Sequence, residues 1–397
     1  MRSRGRRTLF VAALGSIALA AVSCRTPVSK VATNGAQRPV GVIVLPVRWD
    51  GEYVFLEGTV DGEGPYTFLL DTGAGCAVVS PRVLAGYAGR IMTHDEGTSA
   101  IDSAGKSVPL RERIRVDSLR VGPAEFRGLD ANVMDLEAVS NGFGSAVDGV
   151  VGLTAFPHGL LTIDYPAREV RFAEGELGPV DGRTILPLVF EQSMPSVDLG
   201  WEDGTVRVIL DSGNNGGIDL GALPPGAPLL CGPAPARHSL SLSGLSGWIP
   251  FVRIGGRFRI GKFVIRDPVV SLREGPSLVG TEILRHFRLT FDAAHAKVRM
   301  DGAEEEVTMD PVRGIGAGIL PSGGSWRVAD VLPGSPAERS GLRAGDLVRS
   351  VDGVPADAAH GAALVAALRK TGVAVRVAVR RDGKDLEFEV PVVDLVR

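Results

Sequence analysis

Two stretches of this chain align without a gap, Gly152 to Phe172 (GLTAFPHGLLTIDYPAREVRF) and Gly280 to Met300 (GTEILRHFRLTFDAAHAKVRM). No other feature constrains the fold as much. The identical pairs are Gly152/Gly280, His158/His286, Leu161/Leu289, Thr162/Thr290, Asp164/Asp292, Val170/Val298 and Arg171/Arg299. Most other positions keep their apolar or polar character, so the segments read as two copies of one supersecondary unit. Upstream, Leu70-Asp71-Thr72-Gly73 matches Leu210-Asp211-Ser212-Gly213, each after an apolar strand. The order of features is the same in both halves. A strand into D-[ST]-G is followed by a Gly-containing hairpin (Ala100 to Pro109; Ser241 to Pro250) and a strand end at Leu119 to Gly122 or Phe258 to Gly261. An apolar-apolar-Gly element (Val150-Val151-Gly152; Leu278-Val279-Gly280), a short helix and a final hairpin close each half. Two homologous β lobes are expected, over 42–175 and 176–302.

A single D-[ST]-G triplet needs nothing more than a strand-ending turn, with Asp and Ser or Thr capping backbone groups and Gly supplying the dihedral. Two copies at equivalent places in a duplicated lobe ask for more, because a turn does not require that sequence twice. Hydrolysis of a peptide by water needs one carboxylate to take a proton from the water while a protonated carboxyl polarises the carbonyl oxygen. Asp71 and Asp211 supply both if they lie a few Å apart, since like charges that close cannot both ionise. The pair then titrates with macroscopic values that belong to both residues. Gly73 and Gly213 let the backbone approach and donate N–H groups to the carboxylates. The hydroxyls of Thr72 and Ser212 are placed to bond across to the opposite loop and brace the pair.

The Leu-Asp-Thr-Gly-Ala and Leu-Asp-Ser-Gly-Asn loops, with the apolar-Gly elements and the final L-T-[IF]-D hairpins, resemble retropepsin-like aspartic peptidases with both lobes fused as in pepsin. The resemblance covers roughly residues 42 to 301. It implies a mainly β, bilobed double-β-barrel fold, a substrate cleft between the lobes, a water held by Asp71 and Asp211, and cleavage without a covalent intermediate. The Ala100 to Pro109 hairpin would be the flap, and it lacks the tyrosine that pepsins carry there. Ala74 stands where pepsins carry a hydroxyl, so one bond to the ionised Asp71 is lost. An optimum less acidic than pepsin's follows, nearer ~pH 4–6 on the order of known dyad values. In lobe two, Asn214 with Asn215-Gly216-Gly217 predicts a looser loop.

From Arg313 the text changes. Gly314-Ile315-Gly316-Ala317-Gly318-Ile319, Val331-Leu332-Pro333-Gly334-Ser335-Pro336-Ala337, Gly341-Leu342-Arg343-Ala344-Gly345-Asp346, Val351-Asp352-Gly353 and Arg381-Asp382-Gly383-Lys384 follow in order. This ordered set resembles a bacterial PDZ domain, a small α+β unit expected over 310–397. The resemblance implies a peptide groove at Gly316, Ala317, Gly318 and Ile319, where backbone N–H groups hold a peptide carboxylate and the strand edge accepts a C-terminal or internal peptide strand. A helix near Ala358 to Lys370, with Leu364, Val365 and Leu368 on one face, would be the other wall.

The first 24 residues read as a signal peptide. Arg2, Arg4, Arg6 and Arg7 precede an apolar run from Leu9 to Val22 that is too short to span a bilayer. Ala21-Val22-Ser23-Cys24 resembles a lipobox, which implies a lipid on Cys24 and a membrane anchor; plain secretion and an uncleaved anchor are the alternatives. Residues 25–41 read as a flexible tether. Cys76 and Cys231 are left, either as a disulfide between the halves or as buried free thiols. His158 and His286 read as packing residues. No Cys/His spacing suits a metal, and no cofactor is expected. The net charge of −3 is spread through the chain, which offers no basic stripe for nucleic acid. The expected partner is a protein or peptide substrate and the expected activity an aspartic endopeptidase of the cell envelope. Two rivals stand beside it: a peptidase active only as a homodimer through Asp71, and a non-catalytic peptide-binding scaffold.

Overall fold

Runs such as Phe68-Leu69-Leu70 and Val208-Ile209-Leu210 are apolar at every position, so a strand built from them needs cover on both faces. The fold supplies it by placing each run, fully buried, at the centre of a lobe. The computed structural model describes residues 23–24, 41–102, 106–202, 204–238, 240–241, 244–245, 247–322, 325–357, 364, 367–368 and 374–397. The expected signal peptide and tether lie outside the described residues, apart from Gly41 and the short strand Ser23–Cys24. The lipid site expected on the Cys24 side chain lies outside them too.

Lobe one is an eight-stranded sheet that closes on itself where Tyr53–Val60 meets Glu112–Val121, with Thr59 opposite Arg120. Lobe two repeats the closure with Gly200 opposite Arg259. Its long strands are broken where lobe one's are continuous. Ile249–Ile254 and Arg257–Ile260 flank Gly255-Gly256, and Phe263–Arg266 and Val269–Leu272 flank Asp267-Pro268. Gly256 takes φ +119, which a side chain would strain, and Pro268 lacks the N–H a ladder needs. The hairpin expected from Ser241 to Pro250 is correspondingly longer, with Leu229–Arg237 running against Ile249–Ile254 through several register shifts.

The repeated residues now have physical roles. The two final hairpins meet in a six-stranded sheet between the lobes, and Thr162 pairs with Thr290 at its centre. Their hydroxyls lie 3.0 Å apart, so the repeated threonine marks the approximate twofold between the lobes. Asp164 accepts from the Ala167 N–H at 3.0 Å and Asp292 from the His295 N–H at 3.2 Å, so both repeated aspartates tie a hairpin turn. Val170 and Val298 are fully buried. His158 and His286 depart from expectation: both are exposed. No disulfide joins Cys76 and Cys231, as one alternative held, but both thiols are half-buried rather than buried.

The PDZ unit is a five-stranded path in the order Ala317–Ser322, Ser325–Val331, Leu347–Val351, Ala374–Arg381 and Lys384–Pro391. Asp346 of the Gly345-Asp346 motif is buried and paired by Arg381 at 2.7 Å, which explains why both motifs stand in the sequence. The unit is not a free appendage. Val312–Gly314 pairs with Val393–Val396 beside it, and Val312 and Val396 are buried in the same apolar cluster as Phe251 and Ile254 of lobe two. Lobe two also extends past its final hairpin, since Glu306–Thr308 adds to Phe263–Arg266.

A Cβ at Gly152 would strike the carbonyl oxygens of Asp71 and Ala74, and one at Gly280 those of Asn214 and Gly216. Backbone cannot yield there without moving the aspartate loops. Gly152→Ala and Gly280→Ala are each expected to cost about 3 kcal/mol of stability in urea unfolding of the full chain.

Candidate active site

Strands Glu63–Leu70 and Gly204–Leu210 each end at an aspartate. Each is held by a parallel neighbour, with Val151 beside Leu70 and Val279 beside Leu210. The Asp71 N–H donates to the Val151 carbonyl at 2.9 Å and the Asp211 N–H to the Val279 carbonyl at 3.0 Å. Both aspartates are thus fixed at their backbone before their side chains are considered.

The next residues lock the loops to each other. The Thr72 hydroxyl donates to the Leu210 carbonyl at 2.6 Å and accepts from the Ser212 N–H at 3.0 Å. In mirror fashion the Ser212 hydroxyl donates to the Leu70 carbonyl at 2.9 Å and accepts from the Thr72 N–H at 2.8 Å. All four bonds are buried, where an unmade bond costs most. Gly73 donates to Asp71 Oδ1 at 2.8 Å and Gly213 to Asp211 Oδ1 at 2.9 Å. Gly213 also makes room for the dyad, because a Cβ there would collide with the Asp71 carboxyl. The structure therefore brings Asp71, Thr72, Gly73, Asp211, Ser212 and Gly213 into one cluster.

Both carboxyls are fully buried. The Oδ1 atoms have their glycine donors, while the two Oδ2 atoms have no donor from the described residues. A proton held between the carboxyls answers this, since each perturbs the other through a side-chain hydrogen bond. Burial pushes Asp71 up to about 6, against the pull of its bond with Asp211 and of the Gly73 and Ala74 N–H groups. Burial, then the Asp71 charge, then the shared bond hold Asp211 well above the usual carboxylate range, against the Gly213 N–H and the Arg273 charge. The buried pair therefore holds on to a proton that an exposed carboxylate would release.

Sequence reasoning missed the groups around this core. The loose loop expected at Asn214 is pinned: its amide donates to Asp219 at 2.8 Å and its oxygen accepts from the Gly216 N–H at 2.6 Å. Asp219 is in turn bonded by Ser271 and paired with Arg273. Tyr53 and Tyr165 are buried close enough for the Asp211 and Asp71 charges to help raise them well above their ordinary values, behind burial itself. The chain has only four tyrosines, and that rarity was the one signal available.

In the PDZ unit, Ala317–Ser322 is an edge strand, so Ala317, Gly318 and Ile319 lie where the groove was expected. Gly316 takes φ +76, and its carbonyl accepts from the Leu332 N–H at 2.8 Å, shaping the loop before the strand. Of the facing helix, Leu364, Ala367 and Leu368 are described as helical, with Leu364 fully buried and Leu368 packed on the same cluster; Val365 lies outside the described residues.

Two outcomes follow. Thr72→Val removes a hydroxyl that donates once and accepts once in a buried site, so it should lower stability by about 2–4 kcal/mol in urea unfolding, while Thr72→Ser keeps most of it. For Asp71 the folded value of about 6 lies above the ordinary carboxylate value of 3.8, so the fold loses stability as pH rises through that window. Asp71→Asn is expected to stabilise the chain by on the order of 3 kcal/mol at pH 7.5 and by almost nothing at pH 3, read by thermal unfolding at both.

Residues 56–155 match the family model described as aspartyl protease, and residues 327–381 match that described as PDZ domain. No curated protein matches the sequence. Among solved structures, the photosystem II D1 C-terminal processing protease is 26% identical over 21% of this chain and 23% of its own length, with a TM-score of 0.19. This chain thus spans under a quarter of that protein. Basic 7S globulin from soybean is 14% identical over 66% of this chain and 95% of its own, with a TM-score of 0.37. By its two family matches, the chain carries an aspartyl protease domain followed by a PDZ domain.

Proposed function

We propose that the chain is an aspartic endopeptidase in which Asp71 and Asp211 activate a water between them. The observation that carries this reading is the pair of buried carboxyls held at matching places in two lobes by the reciprocal Thr72 and Ser212 bonds. Ionised Asp71 takes a proton from the water as its oxygen attacks the peptide carbonyl. Protonated Asp211 donates to the carbonyl oxygen, so the tetrahedral intermediate forms as a neutral diol. Return of a proton to the amide nitrogen breaks the C–N bond and releases amine and carboxylic acid. Substrate lies extended across the cleft, with strand-like backbone bonds giving affinity and side-chain pockets selectivity. The PDZ groove recruits or positions a peptide strand or C-terminus.

A dyad formed within one chain favours this over the homodimer reading, which has no use for Asp211 beside Asp71. The arginine-led N-terminal segment and Cys24 support export and a lipid anchor at the cell envelope, and labelled fatty acid should enter the wild type and not Cys24→Ser.

The activity test uses an unfolded protein substrate. Asp71→Asn and Asp211→Asn should each lower kcat by at least about 10³-fold, and a statine-type inhibitor should block the wild type. Full activity in Asp211→Asn would return the case to the homodimer. Because the singly protonated pair is the working form, kcat/KM should rise with pH through about 6, following Asp71, which moves the optimum above the ~pH 4–6 expected from the sequence. It should fall again where Asp211 loses its proton. A profile that peaks near pH 2 would contradict the charge assignment.

A further inference from the structure

A cavity of about 330 Å3 lies between the lobes, with Tyr53 and Phe143 of lobe one on its wall and Asn215, Arg237 and Thr281 of lobe two. It adjoins the dyad, because Asn215 follows the Asp211 loop and its N–H bonds the Tyr53 hydroxyl, which feels the Asp211 and Asp71 charges. Arg237 reaches this wall at the end of Leu229–Arg237, which leads toward Leu240–Ser241 where that segment lies against the lobe-one helix Glu137–Phe143. A side chain of a peptide laid across the dyad thus has the cavity within reach.

The lining carries charges of both signs, and their pairing decides what it lacks. Asp50 is buried 3.6 Å from Arg48 and Glu52 lies 3.8 Å from Arg168, so cations from outside the cavity meet both acids. Arg313 is likewise met from outside, by Asp394 at 3.0 Å. Asp310 and Arg285 are exposed to solvent. Inside stands Arg237, its side chain 14% exposed, with Nη1 3.8 Å from Glu282 and no acceptor for Nε among the described residues. Thr281, next to Glu282 in sequence, is fully buried, and its hydroxyl has no partner among the described residues. Buried donors left without an acceptor cost stability, so both residues ask for one. The acceptor that suits a guanidinium and a hydroxyl together is a carboxylate, whose two oxygens take charge-assisted bonds.

We propose that Arg237 and Thr281 form a subsite that selects substrates by a carboxylate, carried on a glutamate side chain or at the chain's C-terminus near the scissile bond. The proposal rests on the peptidase reading above and names a substrate class for it. Glu282 is the subsite's internal competitor, since it is the one lining acid that shares Arg237. A glutamine in place of the glutamate still accepts a hydrogen bond but brings no charge, which isolates the electrostatic part of the selection.

The test uses the full chain and a set of peptides in which Glu, Gln, Lys or Leu replaces each residue in turn around the cleaved bond, each with a free and with an amidated C-terminus. At one position Glu should exceed Gln in kcat/KM by at least about 10-fold, or a free C-terminus should exceed its amide by as much, the worth of a hydrogen bond to a charged group. The first outcome assigns the carboxylate to a side chain and the second to the chain end. Arg237→Met, which keeps a stem over the Phe251 ring, should bring that ratio near one. Thr281→Val should lower it about 3-fold, and Glu282→Gln should raise it. A wild type with no acid preference at any position and no effect of amidation, a preference for Lys, or an Arg237→Met and a Thr281→Val that both keep the ratio overturns the proposal. Peptide affinity for inactive Asp71→Asn, followed by anisotropy, separates the two readings. If the wild type cleaves nothing while Asp71→Asn binds the acidic peptide more tightly than its neutral counterpart, and Arg237→Met abolishes the difference, the subsite stands and the peptidase reading goes. Cleavage without any acid preference removes the subsite alone.

Discussion

The four crossed bonds between Thr72 and Ser212 carry the architecture, because they hold together what electrostatics would separate. Two buried acids repel once both ionise, and among the described residues no basic side chain is bonded to either. Desolvation and mutual repulsion raise both, and the cost of keeping them adjacent falls on the surrounding hydrogen bonds. The interlobe sheet and the two close-approach glycines serve the same end. They fix the strands that deliver the loops, with Thr162 and Thr290 meeting at the symmetry point below.

Symmetry gives each lobe an aspartate, and departures from it give the aspartates different duties. From the aspartate to the next strand, lobe two is one residue longer than lobe one, Asp211 to Ile218 against Asp71 to Ala77. The extra length accommodates Asn214 turned onto Asp219, which Arg273 neutralises. Val78 takes the place of Asp219 in lobe one, and the Asn132 amide there reaches the Cys76 sulfur at 3.2 Å instead. One loop is braced by charge and the other by packing.

The duplicated segments made the lobe plan, the paired loops and their bracing hydroxyls legible, since each repeated letter answers a constraint that both lobes share. Asp164 and Asp292 tie turns, and Gly152 and Gly280 admit backbone, so those roles could be read from type and spacing. His158 and His286 could not, because repetition alone does not separate a packed ring from an exposed one. The Asp219 network and the two tyrosines near the dyad were hidden for a related reason. They belong to one lobe each, and their partners come from distant strands: Ser271 is 52 positions from Asp219. The docking of the PDZ unit was likewise invisible, since domain motifs report on each unit's interior and not on what it rests against.

Val396 is made only after the whole PDZ unit, yet it is fully buried in the cluster that forms the core of lobe two. Arg253, in the middle of that lobe, donates to the Arg397 carbonyl and, at 2.7 Å and 3.2 Å, to those of Asp267 and Met309. During synthesis the lobe that holds Asp211 therefore stays short of its final packing until the distal strand emerges. The order of the chain thus places one piece of that apolar core behind the whole PDZ sheet, so the core of lobe two is completed only by residues that follow the sheet in sequence.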